Sequence, residues 1–130
     1  MSFLTTLKGF QMPALSKILL YTRDMEKTSQ FYQKHFDFEA EADEDGRVIE
    51  LVSPSGGASI MLHQAARSVK LGQAAVKLVF EVEDVDKFKK KAAKLGLNFG
   101  ATHAADGYAF ANAKDPDKNS VSISSRSFRP

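Results

Sequence analysis

The sequence of 130 residues contains no cysteine. This absence excludes disulfide frameworks, thiolate zinc sites and cysteine nucleophiles. An excess of one charge is also missing, because 18 basic residues oppose 16 acidic ones and leave a net charge of +2. So small a surplus gives no reason to expect a nucleic acid as partner.

Long hydrophobic runs are absent as well. The longest apolar stretches contain only a few residues, well short of the ~20 that a membrane-spanning helix needs. The first residues, MSFLTTLKGFQMPALSK, lack the basic and apolar regions of a secretion signal. With 43% apolar and 26% charged residues, the composition is that of a globular domain. We therefore expect a cytoplasmic protein without a membrane partner.

An internal repeat is the most informative feature of the chain. The segments Lys17–Asp24 (KILLYTRD) and Lys77–Asp84 (KLVFEVED) both begin with lysine, end with aspartate and carry apolar residues at matching positions. The alternation of each segment predicts a strand. The closing aspartate is a typical N-cap and predicts that a helix follows.

The elements after the two segments follow the same order. Helical spacing predicts helices at 24–36 and 85–95, the second ending at Gly96. Three strands should follow each helix, at 38–42, 47–52 and 58–63 and then at 98–102, 108–114 and 120–125. The chain is therefore expected to read βαβββ twice, with modules at 15–63 and 75–125, a linker at 64–74 and an N-terminal extension at 1–14.

Two short motifs accompany this order. The first is Thr22–Lys27 (TRDMEK) leading to Phe31 and Tyr32, and the second is Asp115–Asn119 (DPDKN) before the last strand. Together with the doubled order they resemble the vicinal oxygen chelate superfamily of glyoxalases, bleomycin-resistance proteins and ring-cleaving dioxygenases, over residues 15–126. The resemblance implies an α+β domain in which two βαβββ modules form a half-barrel-like sheet around a cavity.

The sequence departs from the family pattern at two turns. Asp37 stands where a glycine is usual after the first helix, and Lys118 replaces the glycine of the second motif. Aspartate tolerates a left-handed backbone better than lysine does. Neither departure threatens the fold.

The resemblance also implies that one face of each sheet packs on its helix and the other lines the cavity. Strand alternation then sorts the residues by face. The cavity side should carry Lys17, Leu19, Tyr21, Ser59, Met61, His63, Lys77, Val79, Glu81, Ser120, Ser122 and Ser124.

Metal-dependent members of the family carry His, Glu or Gln at four cavity positions. The corresponding residues here are Lys17, Met61, Lys77 and Ser122. A protonated lysine has no lone pair to donate, a thioether is a poor ligand for hard divalent ions, and a neutral serine is a weak one. The comparison predicts a protein without a metal or other cofactor.

Three other residues leave an alternative open. Glu50, His63 and Glu81 are plausible cavity residues, and two carboxylates with an imidazole are an acceptable ligand set. In the simpler interpretation Glu50 and Glu81 are counter-ions of Lys17 and Lys77, and His63 lies at the rim.

Two further histidines have simple interpretations. His35 should be a partly buried structural residue of the first helix. His103 falls in a predicted loop, either as a solvated side chain or as part of a lid.

Three functions remain open at this stage. The first is a binding protein without catalytic residues, whose cavity holds a small organic and possibly anionic aromatic ligand. The second is a glyoxalase-like lyase or dioxygenase that uses the non-standard metal site or a lysine base. The third is a structural or regulatory module with a filled cavity. The candidate ligand-binding residues are Lys17, Tyr21, Glu50, Met61, His63, Lys77, Glu81 and Ser122.

The resemblance further implies a homodimer in which each cavity takes strands from both chains. Open sheet edges are costly to leave exposed, and the linker is short for a large swing. The apolar N-terminal residues Phe3, Leu4, Leu7, Phe10 and Met12 are expected to pack over the seam.

Overall fold

A computed structural model describes residues 14–130; the N-terminal segment expected to cover the seam lies outside the described residues. The first module contains β1 (Lys17–Thr22), α1 (Met25–Phe36), β2 (Glu39–Ala42), β3 (Val48–Val52) and β4 (Ser59–Gln64). The second contains β5 (Lys77–Glu81), α2 (Val85–Lys94), β6 (His103–Ala105), β7 (Tyr108–Lys114) and β8 (Ser120–Ser124), followed by a short 3-10 turn at Arg126–Phe128.

Each module forms one mixed sheet of four strands. The strand orders are β1-β4-β3-β2 and β5-β8-β7-β6. In each sheet the first and last strands of the module are parallel, and the other neighbours are antiparallel. The predicted α+β class with two βαβββ modules is therefore confirmed.

Both helices begin at the aspartates that the repeat marks. The carboxylates of Asp24 and Asp84 each accept a hydrogen bond from a first-turn amide, of Lys27 and Lys87 respectively, at 3.0 Å. Each bond satisfies one of the amides that the first turn leaves without a helical partner. The repeated segment thus produces the same strand-to-helix transition twice.

Residues with a left-handed backbone conformation follow both helices, and another lies in the turn before β8. Asp37 has φ 58° after α1, and Gly96 has φ 96° after α2. The amide of Leu97 donates to the carbonyl of Ala92 at 2.9 Å, as in a Schellman cap. Lys118 also lies in the left-handed region, at φ 68°. The two departures from the family pattern therefore keep the backbone conformation that glycine usually supplies.

The first strand after α2 was predicted in the wrong place. It forms at His103–Ala105 rather than at 98–102. Gly100 makes only one backbone bond to β7, its amide donating to the carbonyl of Asn112 at 2.8 Å. The hydroxyl of Thr102 is bonded to side chains of α2, which draws this segment toward the helix. His103 consequently lies in an exposed edge strand and not in a loop.

The two modules share a core on the helix side of their sheets. Tyr32 of α1 is fully buried there, and the ring of Phe36 stacks on Phe80 of β5 at 3.9 Å. Residues of both sheets complete this core, namely Leu51, Ile60, Leu62, Leu78 and Val121. The opposite faces are left open, since Leu19, Tyr21 and Val79 are 45%, 51% and 57% exposed.

The two motifs that carry the family resemblance meet in this core. The hydroxyl of Tyr32 donates to Asp115 at 2.7 Å, and the hydroxyl of Thr28 donates to Asp117 at 2.7 Å. The backbone amide of Arg23 donates to the other oxygen of Asp117 at 3.0 Å. Burial raises the pKa of Tyr32 far above its usual range, and the charge of Asp115 raises it further. Tyr32 therefore stays a neutral donor to the aspartate.

The segment between β4 and β5 is fixed along its length. The guanidinium of Arg23 donates to the carbonyl of Ala66 at 3.0 Å and to that of Val69 at 2.6 Å. Gly72 packs so tightly on the turn of the second module that a Cβ there would lie 2.8 Å from the Cβ of Lys118. The linker is thus anchored to both modules.

Candidate functional site

The sides of the two sheets that face away from the helices form the candidate site. We call the side of the β1–β4 sheet that carries Lys17, Leu19, Tyr21, Glu50, Met61 and His63 the first open face. We call the side of the β5–β8 sheet that carries Lys77, Val79, Glu81, Phe110, Asn112 and Ser122 the second open face. Strand register places every residue predicted for the cavity on one of these faces.

The first open face contains an ion pair and an aromatic pair. The ammonium of Lys17 lies 3.3 Å from a carboxylate oxygen of Glu50, which is the pairing that the simpler interpretation predicts. The rings of Tyr21 and His63 meet edge to face at 5.6 Å. Nδ1 of His63 donates to the carbonyl of Gln64 at 3.0 Å, because a carbonyl oxygen can only accept. In the neutral ring Nε2 is therefore an acceptor.

On the second open face the predicted pairing of Lys77 with Glu81 does not occur. The ammonium of Lys77 lies over the ring of Phe110, 5.6 Å from its centroid. The carboxylate of Glu81 accepts from the hydroxyl of Ser127 at 2.7 Å. Phe110 lies in β7, two strands away from β5, and Ser127 lies beyond β8 in the last four residues, which fall outside the repeat.

An aromatic cluster on the second open face was missed by sequence reasoning. The rings of His103 and Phe110 lie 5.1 Å apart. The guanidinium groups of Arg126 and Arg129 each lie 5.8 Å from the centroid of the Tyr108 ring. The alternation in β7 is a usable signal, because its alanines face the core while Tyr108, Phe110 and Asn112 face outward.

The remaining polar groups of this face are largely buried. Ser122 is 2% exposed and its hydroxyl donates to the carbonyl of Ala111 at 3.0 Å. Oδ1 of Asn112, opposite Ser122 in the register, is buried without a hydrogen-bond partner among the described residues. The hydroxyl of Ser122 therefore already has its acceptor within the sheet.

The eight predicted ligand-binding residues are divided between the faces. Five lie on the first open face and three on the second. The alternative ligand set is divided too, since Glu50 and His63 lie on β3 and β4 but Glu81 lies on β5. In residues 14–130 no three His, Asp or Glu side chains lie close enough together to hold a metal ion. One chain does not assemble that alternative site.

The four positions that the family uses for metal ligands do not suit a metal here. Lys17 is bound to Glu50, and Lys77 lies over an aromatic ring. Met61 offers only a thioether, and the Ser122 hydroxyl is engaged by the backbone. Neither the charges nor the donor atoms match a hard divalent cation. The residues do not fit the metal that the family implies.

A groove runs along the outer edge of β5, where Lys77, Val79 and Glu81 of the second open face line it. Its volume is about 520 Å³, and its walls come from the end of α1, the β3–β4 turn, β5 and α2. Of the predicted site residues only Lys77 and Glu81 line it. Nδ1 of His35, another lining residue, is buried without a partner among the described residues. Burial lowers the pKa of His35, and the adjacent Lys34 lowers it further, which favours the neutral ring.

The two βαβββ modules, each a four-stranded mixed sheet with one helix, define a glyoxalase-type α+β domain. The sequence matches the model of the Glyoxalase/Bleomycin resistance protein/Dioxygenase superfamily over residues 14–123, and the chain belongs to this family. The predicted membership of the vicinal oxygen chelate superfamily is thereby confirmed. No curated protein matches the chain. No helix in residues 14–130 is long and apolar enough to cross a membrane.

Solved structures with this fold have varied descriptions. The antibiotic binding protein TnmS3 from Streptomyces sp. CB03234 superposes with a TM-score of 0.72 at 19% identity, over 88% of this chain and 96% of that one. A lactoylglutathione lyase from Agrobacterium tumefaciens gives a TM-score of 0.66 at 22% identity, over 85% and 92%. A family member from Sphaerobacter thermophilus DSM 20745 gives 0.70 at 19% identity, over 87% and 97%. At these identities the likeness concerns the fold.

Proposed function

We propose that this protein binds a small organic ligand, without a metal ion, in a cavity bounded by its open faces. The observation that carries the proposal is the chemistry of the four family metal positions. Lysine, methionine, lysine and serine stand there, and the cationic or engaged groups among them disfavour a divalent ion. The catalytic chemistry that the family builds on a metal is therefore not expected in this chain.

The surface chemistry of the open faces suits such a ligand. Leu19, Tyr21 and Val79 supply exposed apolar area, and Lys77 supplies a positive charge beside the ring of Phe110. Apolar walls with a few convergent polar groups are typical of small-molecule sites. TnmS3, which shares the fold, is described as an antibiotic binding protein.

A thermal-shift screen tests this proposal. Small aromatic acids and amides should include compounds that raise the melting temperature, because a ligand that binds only the folded state stabilises it. The shift should be the same with a chelator and with added zinc, nickel or manganese. Leu19→Glu places a charge on the first open face and should remove the shift. Leu15→Glu is the matched control, since Leu15 is 77% exposed and precedes β1.

Two results would contradict the proposal. One is a ligand response that appears only after a divalent metal is added. The other is stoichiometric metal in the purified protein that is lost when Glu50 or His63 is replaced by alanine. Either result would mean that the residues of the first open face hold a metal after all.

We also propose that the protein is a homodimer in which the first open face of each chain opposes the second open face of its partner. The exposed apolar residues Leu19, Tyr21 and Val79 would then be covered. The faces are complementary in charge. The first carries Lys17, Glu39, Glu41 and Glu50, and the second carries Lys77, Glu81 and Lys114.

Light scattering measures this directly. At micromolar concentration we expect about twice the 14.3 kDa of one chain, and an interface above ~1,000 Å², the scale of biological contacts. Raising the salt concentration should weaken the association if opposite charges contribute. A mass that stays at that of one chain would rule the dimer out.

A further inference from the structure

Two arginines flank one aromatic ring where β8 ends. The guanidinium groups of Arg126 and Arg129 both lie 5.8 Å from the centroid of Tyr108. Tyr108 begins β7, and Phe110 follows two residues further along this strand, with Lys77 and His103 beside its ring. This end of the second open face thus combines aromatic surface with three permanent cations.

The charges of this cluster are not compensated within the described part of the chain. Neither Arg126 nor Arg129 forms a salt bridge there, and the ion pairs that do form involve Lys17 and Arg47. Glu81, an acidic residue of the same face, accepts a hydrogen bond from Ser127. Lys17, the other cation that the sequence proposes for an anionic ligand, is already paired with Glu50. Three of the cations of the open faces that form no salt bridge among the described residues, Lys77, Arg126 and Arg129, therefore lie beside Tyr108 or Phe110. A fourth, Lys114, donates to the hydroxyl of Ser120.

We propose that Tyr108, Phe110, Arg126 and Arg129 form a subsite for an aromatic carboxylate, in which the rings stack on the ligand and the arginines bind its carboxylate. The subsite rests on the proposed ligand-binding function and names the ligand class. In this proposal the two arginines, and not Lys17, recognise the carboxylate of the ligand.

The chemistry of the residues fits this role. A guanidinium is planar, always charged and able to bind a carboxylate through two parallel N–H···O bonds. A guanidinium is also attracted to the faces of aromatic rings, and both groups lie 5.8 Å from the centroid of Tyr108. Tyr108 and Phe110 are half-buried, with ring centroids 6.5 Å apart. They offer a fixed aromatic surface that loses little conformational freedom when a planar ligand stacks on it.

A second copy of the chain is the competing occupant. The acidic side chains of Glu39 and Glu41 on its first open face carry the same carboxylate chemistry. They do not require the two neighbouring rings of Tyr108 and Phe110 beside the cations, whereas an aromatic acid uses both parts of the cluster. The ring surface is therefore the observation that favours the small ligand.

The test compares naphthoate with naphthamide, its neutral amide, by titration calorimetry on the full-length protein. In the double variant Arg126→Gln/Arg129→Gln the affinity for naphthoate should fall at least about tenfold, because charged hydrogen bonds are lost. The affinity for naphthamide should change little. The matched control is Arg47→Gln/Arg67→Gln, which removes two exposed arginines elsewhere and should leave both affinities unchanged.

Each other outcome overturns the subsite in a recognisable way. Equal losses for both compounds would show that the arginines only support the structure. Inorganic phosphate bound as tightly as naphthoate would show a plain oxyanion site without an aromatic component. A change of mass in the double variant, with unchanged ligand affinity, would assign the arginines to a dimer interface. If naphthamide binds the wild-type protein but the arginines add nothing to the affinity for naphthoate, the subsite proposal fails while the proposed binding function stands. If no ligand binds, both proposals fail.

Discussion

Replacing Asp115 with alanine should lower the free energy of unfolding by at least about 3 kcal/mol, since a buried donor left without a partner costs about 1–3 kcal/mol. The Asp115 carboxylate is 4% exposed and accepts four hydrogen bonds at 2.7 to 2.9 Å. They come from the Tyr32 hydroxyl, the amide of Asp117, and the amide and side chain of Asn119. The alanine variant removes the acceptor of all four donors at once and leaves the two buried ones, the Tyr32 hydroxyl and the Asp117 amide, without a partner.

Urea unfolding followed by circular dichroism measures this loss. Asp43→Ala is the control, because Asp43 is exposed and its side chain makes no hydrogen bond within residues 14–130. Tyr32→Phe should lie between the two, since it removes one donor and leaves the remaining three bonds of Asp115 in place. A loss for Asp115→Ala no larger than that of Asp43→Ala would show that the network does not hold the modules together.

Gly72→Ala should also be strongly destabilising, by roughly 2–4 kcal/mol. Gly72 has φ 77°, and a left-handed backbone costs an L-residue about 1–2 kcal/mol. Its added Cβ would lie 2.8 Å from the Cβ of Lys118, and overpacking of this kind costs about 1–3 kcal/mol. Because Lys118 is in a tight turn, neither side of this contact can easily move away.

Gly57→Ala separates the two contributions. Gly57 has φ 86° but no atom within 4 Å of an added Cβ, so only the backbone cost of about 1–2 kcal/mol applies. The difference between the two variants in thermal or urea unfolding measures the contact of the linker with the turn. Equal losses would mean that the linker does not pack on the second module.

The sequence predicted the structure best where the stabilising contacts join residues that are close together in the chain. Asp24 and Asp84 act within one turn of their own helices, so the repeated segment reveals both helix starts. The strand at His103 was misplaced because a tertiary contact of Thr102 with α2 competes with local alternation. The position of such a short edge strand depends on contacts with residues that are distant in sequence.

The same limit applies to the candidate site. Alternation assigned each residue to the correct face, because side chains on a strand alternate strictly. The partners across strands depend on register, which the sequence does not show. Of the two predicted ion pairs, Lys17 with Glu50 forms, whereas Glu81 is bonded to Ser127 after the last strand. The arginines beside Tyr108 were overlooked for the same reason.

The contact between the two family motifs also has a consequence for how the chain reaches this structure. Tyr32 and Asp115 are 83 residues apart, and Arg23 and Asp117 are 94 apart. During synthesis the first helix therefore emerges long before the carboxylates that complete its surroundings. Pairings over such distances slow folding, because loop closure precedes the stabilising contact. We infer that the first module reaches its native packing only after the second has been synthesised. The two halves therefore fold and unfold as one cooperative unit despite their duplicated sequence.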